Sequence, residues 1–152
     1  LCQKIRSLKT KIFNNYLKKK ELKLRPGVKD LINFCIKKKI KLGFVSSTSL
    51  NNINSIFYCL RRSIKKSYFN FIGNSSLVKK NKPNPDIYLF ALKKLKLKPR
   101  ECIAIEDSQE SLDAAFKAKI KCLIFPGKFH SGKKFLRAYK KVFNLNIKIM
   151  RK

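Results

Sequence analysis

The stretch Cys102-Ile103-Ala104-Ile105-Glu106-Asp107-Ser108 constrains the fold most tightly. Its small and apolar residues suit a strand buried on both faces, as in a parallel sheet. Two carboxylates follow where such a strand ends, and Ser108 is placed to cap a helix. Open α/β sheets bind ligands at the carboxyl ends of their strands. Paired acids there suit magnesium, which takes hard oxygen ligands and often only one or two carboxylates. The plainer alternative is that both acids simply favour a helix N-terminus.

Composition sharpens the point. The chain carries 38 Lys and Arg against 8 Asp and Glu, a formal charge of +30. Five of those eight acids, Glu101, Glu106, Asp107, Glu110 and Asp113, lie between residues 101 and 113. A charge this large raises nucleic acid or an anionic membrane as a partner. The excess is mostly Lys, spread along predicted helices, so no specific nucleic-acid partner is expected. At 152 residues the chain has the length of one domain. No run is long and apolar enough to span a membrane, and no signal peptide is visible. The five cysteines, Cys2, Cys35, Cys59, Cys102 and Cys122, form no CxxC pair, and reduced thiols in a cytoplasm-like compartment or organelle stroma are expected.

Periodicity places a helix over residues 4–20 whose apolar stripe (Ile5, Leu8, Ile12, Phe13, Tyr16) lacks a partner in the early sequence. Pro26-Gly27 marks a turn. Val28, Leu31, Ile32, Cys35 and Ile36 then give a strongly amphipathic helix. Strands are expected at 42–45, 68–72, 102–105 and 121–125. The helices between them start at Ser49, at Asn84 (as cap, with Pro85 in the first turn) and at Ser108. A weaker helix is expected over 135–142, and residues beyond 144 are ambiguous. Strands alternating with helices on short connections indicate a parallel α/β sheet. Its strand ends bring Ser46, Ser47 and Thr48, the loop to Lys82, and Glu106-Asp107 to one edge. Hydroxyls, an ammonium and an acid pair together suit a phosphate. Taken singly, the serines are ordinary turn residues and Lys82 is one lysine among many, distinguished by Pro83 and Pro85 around it. His130, the single histidine, reads as a surface turn residue.

These motifs resemble those of the haloacid dehalogenase superfamily of phosphohydrolases. The matching residues are Phe44-Val45-Ser46-Ser47, Lys82-Pro83-Asn84-Pro85-Asp86 and Ile103-Ala104-Ile105-Glu106-Asp107-Ser108, with Leu24-Arg25-Pro26-Gly27-Val28 similar to the re-entry from a helical cap. The phrasing is closest to the CbbY-like branch, which resembles β-phosphoglucomutase. The resemblance implies a three-layer Rossmann-like parallel sheet over residues 23–152, with residues 1–22 as the remnant of a helical cap. It implies a magnesium-dependent phosphatase or phosphomutase acting on a small sugar phosphate through an aspartyl-phosphate. Ser46 would bind the phosphoryl group, with Ser47 and Thr48 lining the same pocket. Lys82 would stabilise the phosphoryl group and the nucleophile, and Asp107 would ligate Mg2+ with Glu106 beside it. A monomer when complete, with no membrane partner, is expected.

The family's first motif, Asp-x-Asp on an early strand, occurs nowhere in this sequence. By resemblance its strand lies mid-sheet, between 41–46 and 102–106, so the core lacks its central strand and a slot of roughly 10 Å separates the neighbours. The expectation is therefore a fragment, inactive by itself and weak in Mg2+ binding. The alternative is a non-catalytic relative that binds anionic ligands or nucleic acid through its basic surface. Ser111 and Lys119 stand where relatives usually carry Gly, and Lys119 is expected in a left-handed helix cap.

Overall fold

The computed structural model describes residues 2–19 and 22–145. An N-terminal helix, α1 (Cys2–Lys19), precedes an alternating series: α2 (Val28–Lys37), β1 (Gly43–Val45), α3 (Leu50–Cys59), β2 (Phe71–Gly73), α4 (Asp86–Leu95), β3 (Ile103–Glu106), α5 (Gln109–Lys117), β4 (Lys121–Ile124) and β5 (Lys140–Lys141). Local chemistry fixes several ends. Ser49 and Ser108 cap α3 and α5, their hydroxyls accepting from Asn52 N and Ser111 N. Gly27 opens α2 at φ +82°, and a Cβ there would lie 2.1 Å from the Leu145 carbonyl oxygen, so only glycine fits the turn. Lys39, Lys96 and Lys119 follow three of the helices at φ 54–61°, where glycine is the unstrained residue. Each left-handed lysine costs roughly 1–2 kcal/mol.

Every strand pair is parallel, but the strands form two sheets, β1-β2 and β3-β4-β5. Among the described residues no backbone hydrogen bond joins β1 to β3. Helices bridge this seam on both faces. On one face Leu31 and Cys35 of α2 pack with Leu42, Ile105 and Phe125. On the other, Ile87, Tyr88 and Leu92 of α4 pack with Val45 and Ala104. The result is a three-layer Rossmann-like α/β core. Phe44, Phe57 and Phe69 close the β1-β2 side edge-on, with centroids 5.3–5.9 Å apart. Arg25 ties the start of α2 to the end of β4, its guanidinium donating to the Phe125 and Pro126 carbonyls at 2.7 Å each.

Several expectations change on contact with the structure. The 102–105 segment is not buried on both faces: Ala104 is buried, but Ile103 is 40 % exposed because β3 is an edge strand. The second strand begins at Phe71, since Lys66–Tyr68 coils into a short 3₁₀ turn. Asn84 does not cap α4; Pro85 holds that position and the Asn84 amide donates to Asn81 O. The helix expected over 135–142 is absent. Lys140–Lys141 instead pairs with β4, where Val142 N donates to Ile124 O. Leu17 of α1 is buried against α3, and Ile5, Leu8 and Ile12 are left 58–60 % exposed. Of the ambiguous tail beyond residue 144, Leu145 is buried and residues 146–152 lie outside the described residues. No helix among them is long and apolar enough to cross a membrane, and Cys35, Cys59, Cys102 and Cys122 are unpaired thiols.

Candidate active site

The carboxyl ends of β1 and β3 open into one cleft of about 230 Å³, lined by Val45, Ser46, Ser47, Lys82, Glu106, Asp107, Glu110 and Ser111. Lys82 is its organising group. It is 8 % exposed, and its ammonium donates to Glu106 Oε1 at 2.7 Å, Ser111 Oγ at 3.3 Å and the Val45 carbonyl at 3.4 Å. An ammonium has three donors, so these bonds use all of them. They also link the two sheets across the seam, from Val45 on β1 to Glu106 on β3. The Tyr88 hydroxyl, brought in by α4, donates to the same Glu106 oxygen.

This network sets the local electrostatics. Burial pushes the Tyr88 phenol well above its ordinary range, and the Glu106 charge and hydrogen bond push it further. Cys122, on the next strand, is pushed up to about 12, mainly by burial and also by Glu106, with Lys82 acting weakly the other way. Both groups are therefore neutral at ordinary pH, and the Lys82–Glu106 pair is the charged element of the floor.

The cleft brings together Ser46, Ser47, Lys82, Glu106 and Asp107. Thr48 stands apart, its hydroxyl accepting from the Asn52 amide at 2.8 Å. Ser46 Oγ accepts from Thr48 N at 3.2 Å, which leaves its own proton to donate. Tyr88, Glu110 and Ser111 were not marked as site residues by the motifs. Tyr88 lies on the buried face of α4, and no motif marks its hydroxyl.

The donor set meets a magnesium ion part-way. Asp107 is exposed at the rim and one Glu106 oxygen is free of Lys82 and Tyr88. Among the described residues no group of three His, Cys, Asp or Glu side chains is placed to hold a metal. Magnesium keeps several waters and completes its octahedron with substrate phosphate, so one or two carboxylates form half a site.

A parallel α/β core with a cleft of hydroxyls, a buried lysine and rim carboxylates defines a Rossmann-like α/β domain with a polar cleft at its strand ends. The chain belongs to the haloacid dehalogenase-like hydrolase family, which it matches over residues 2–125. It is 33% identical over 134 residues to protein CbbY of Cereibacter sphaeroides, covering 88% of this chain and 58% of that protein. It is 32% identical over 139 residues to a phosphorylated carbohydrates phosphatase of Thermotoga maritima, covering 90% of this chain and 60% of that one. The solved structure of CbbY from Rhodobacter sphaeroides with xylulose-(1,5)bisphosphate superposes with a TM-score of 0.86 at 31% identity, over 94% of this chain and 64% of that one. The chain spans about half the length of the curated relatives it matches.

Proposed function

We propose that this chain forms the phosphate-holding part of a magnesium-dependent sugar-phosphate hydrolase of the CbbY-like branch. The attacking carboxylate comes from a further strand seated in the seam between β1 and β3. The observation that supports this reading is the convergence of Ser46, Lys82 and Asp107 on one cleft that opens at the seam. Its relatives' names point to phosphorylated sugars as the substrate class.

Ser46 donates its hydroxyl proton to a phosphoryl oxygen. Lys82 trades one of its two longer bonds, to Ser111 or Val45, for a second phosphoryl oxygen, and Glu106 keeps the ammonium in place. Asp107, with the free Glu106 oxygen, would hold the magnesium, which supplies positive charge beside the phosphate. A carboxylate attacking phosphorus releases the sugar hydroxyl and leaves an acyl phosphate, which water hydrolyses. No residue of this chain stands in an Asp-x-Asp motif to make that attack.

The test is a chimera carrying the N-terminal segment of the Cereibacter sphaeroides relative fused ahead of this chain. Phosphate release from xylulose-(1,5)bisphosphate and other sugar phosphates is measured with magnesium. The chimera turns over and Asp107→Ala abolishes it, while the chain alone is silent. Turnover by the chain alone, lost in Asp107→Ala, would sink the proposal, as would a folded chimera inactive on every sugar phosphate.

A further inference from the structure

The strand ends opposite the cleft carry a different chemistry. Four connections return the chain to that pole: residues 37–41, 61–66, 93–100 and 117–121. Together they hold sixteen Lys and Arg, all exposed, and no carboxylate, and of these Lys117 turns away, its ammonium donating to Pro83 O at 3.0 Å. The nearest acid is Glu101, and its Oε2 is taken by the Lys98 amide at 2.6 Å. The connections are contiguous: Lys41 Nζ donates to Leu95 O at 2.8 Å, and Leu42 N to Asn70 Oδ1 at 2.9 Å. Lys98, Pro99, Arg100 and Lys119 line one open depression of about 430 Å³. The topology thus gathers at one end lysines that are dispersed along the sequence.

Helix dipoles do not account for this. Their pull on cations ends within the last turn, whereas Lys41, Lys65, Lys98, Arg100, Lys119 and Lys121 lie beyond their helices. Exposed aromatic rings are interleaved with the charge. Tyr58 is 63 % exposed under the Arg61 guanidinium at 4.1 Å, and Tyr139 is 57 % exposed beside Lys121 at 5.1 Å. Phe116 is 49 % exposed beneath Arg137. A broad cationic surface tracks a phosphate backbone, and rings with open faces stack on unpaired bases.

We infer that this pole is a binding surface for single-stranded nucleic acid, read through phosphates and stacking without sequence preference. It is independent of the phosphate cleft, since Tyr58, Lys98, Arg100, Lys119 and Lys121 lie at the other ends of the strands.

The experiment is fluorescence anisotropy of a labelled oligothymidylate with the full chain. For about six phosphates contacted, affinity falls roughly 300-fold between about 50 and about 200 mM salt. Oligonucleotides of scrambled sequence bind within about threefold of one another. The variant K98Q/R100Q/K119Q/K121Q weakens binding by about tenfold or more and lowers the salt slope. A charge-matched control on the loops after the carboxyl ends of β2 and β4, K79Q/K80Q/K128Q/K134Q, changes it by less than about threefold. Tyr58→Ala weakens oligonucleotide binding by roughly tenfold. Circular dichroism verifies that each variant is folded. Equal weakening by the control would show diffuse charge and overturn the inference. So would tighter binding to phosphatidylserine vesicles than to the oligonucleotide, or indifference to Tyr58→Ala.

Discussion

Replacing Lys82 by Met tests the floor of the cleft most directly. The side chains of Lys82 and Glu106 are only 6 % and 13 % exposed, and their charged atoms lie 2.7 Å apart. Methionine fills the same space without a charge, so Glu106 is left buried with one neutral hydroxyl from Tyr88. Orphaning one partner of a buried pair costs about 3–5 kcal/mol. For a chain of this length that is a fall in Tm of about 6–20 °C. Adding Glu106→Leu removes the orphan charge and leaves the Tyr88 hydroxyl without its acceptor, a penalty of about 1–3 kcal/mol. The double variant Lys82→Met/Glu106→Leu is therefore more stable than Lys82→Met alone, and Tyr88→Phe on top recovers more. Urea unfolding followed by circular dichroism gives the values for the unsubstituted chain, both singles, the double and the triple variant. A loss under about 1 kcal/mol for Lys82→Met, or a double variant as unstable as the sum of its singles, would refute the reasoning.

Three other outcomes follow from the same geometry. Cys122, whose pKa rises from 9.0 to about 12 on folding, holds its proton more tightly in the native state, so its contribution is intact below about pH 9 and is lost as pH climbs toward 12. Alkaline melts should show stability falling across that window, with a shallower fall in Cys122→Ala; an unchanged slope contradicts the assignment. Gly27→Ala should cost more than about 2 kcal/mol, from the positive φ and the collision with the Leu145 carbonyl, and a neutral denaturation midpoint would show that the turn relaxes freely. Titration calorimetry of the chain with magnesium should find little binding below about 1 mM, because two carboxylates supply half a site; tight stoichiometric binding would mean that other ligands converge there.

Much of this was legible in the sequence because it depends on neighbours in the chain. Ser49 and Ser108 cap the helices they precede, Lys119 occupies a left-handed position, and the 3.6-residue period of Leu31, Ile32 and Cys35 gives the buried face of α2. Convergence of Ser46, Lys82 and Asp107 followed from strand direction alone. What escaped depends on tertiary context. Ile103 reads like its buried neighbours, yet no strand covers its side of β3. Lys140–Lys141 has helical surroundings in sequence, and only the free edge of β4 makes it a strand. Tyr88 carries an apolar ring, and the destination of its hydroxyl is set by Glu106, eighteen residues on. The basic pole is a product of topology, since no single segment of the sequence contains it.

The division of the sheet coincides with a division of the chain. Residues 28–73 build α2, β1, α3 and β2, and residues 86–141 build α4, β3, α5, β4 and β5. Each half is contiguous, and the loop joining them carries Lys82. Its ammonium fastens Val45 of the first half to Glu106 of the second. Opening of one half against the other thus breaks the same bonds that the proposed phosphate would draw upon. A ligand in the cleft that engages this nitrogen would therefore act on one of the ties between the halves, alongside the packing of α2 and α4 across the seam.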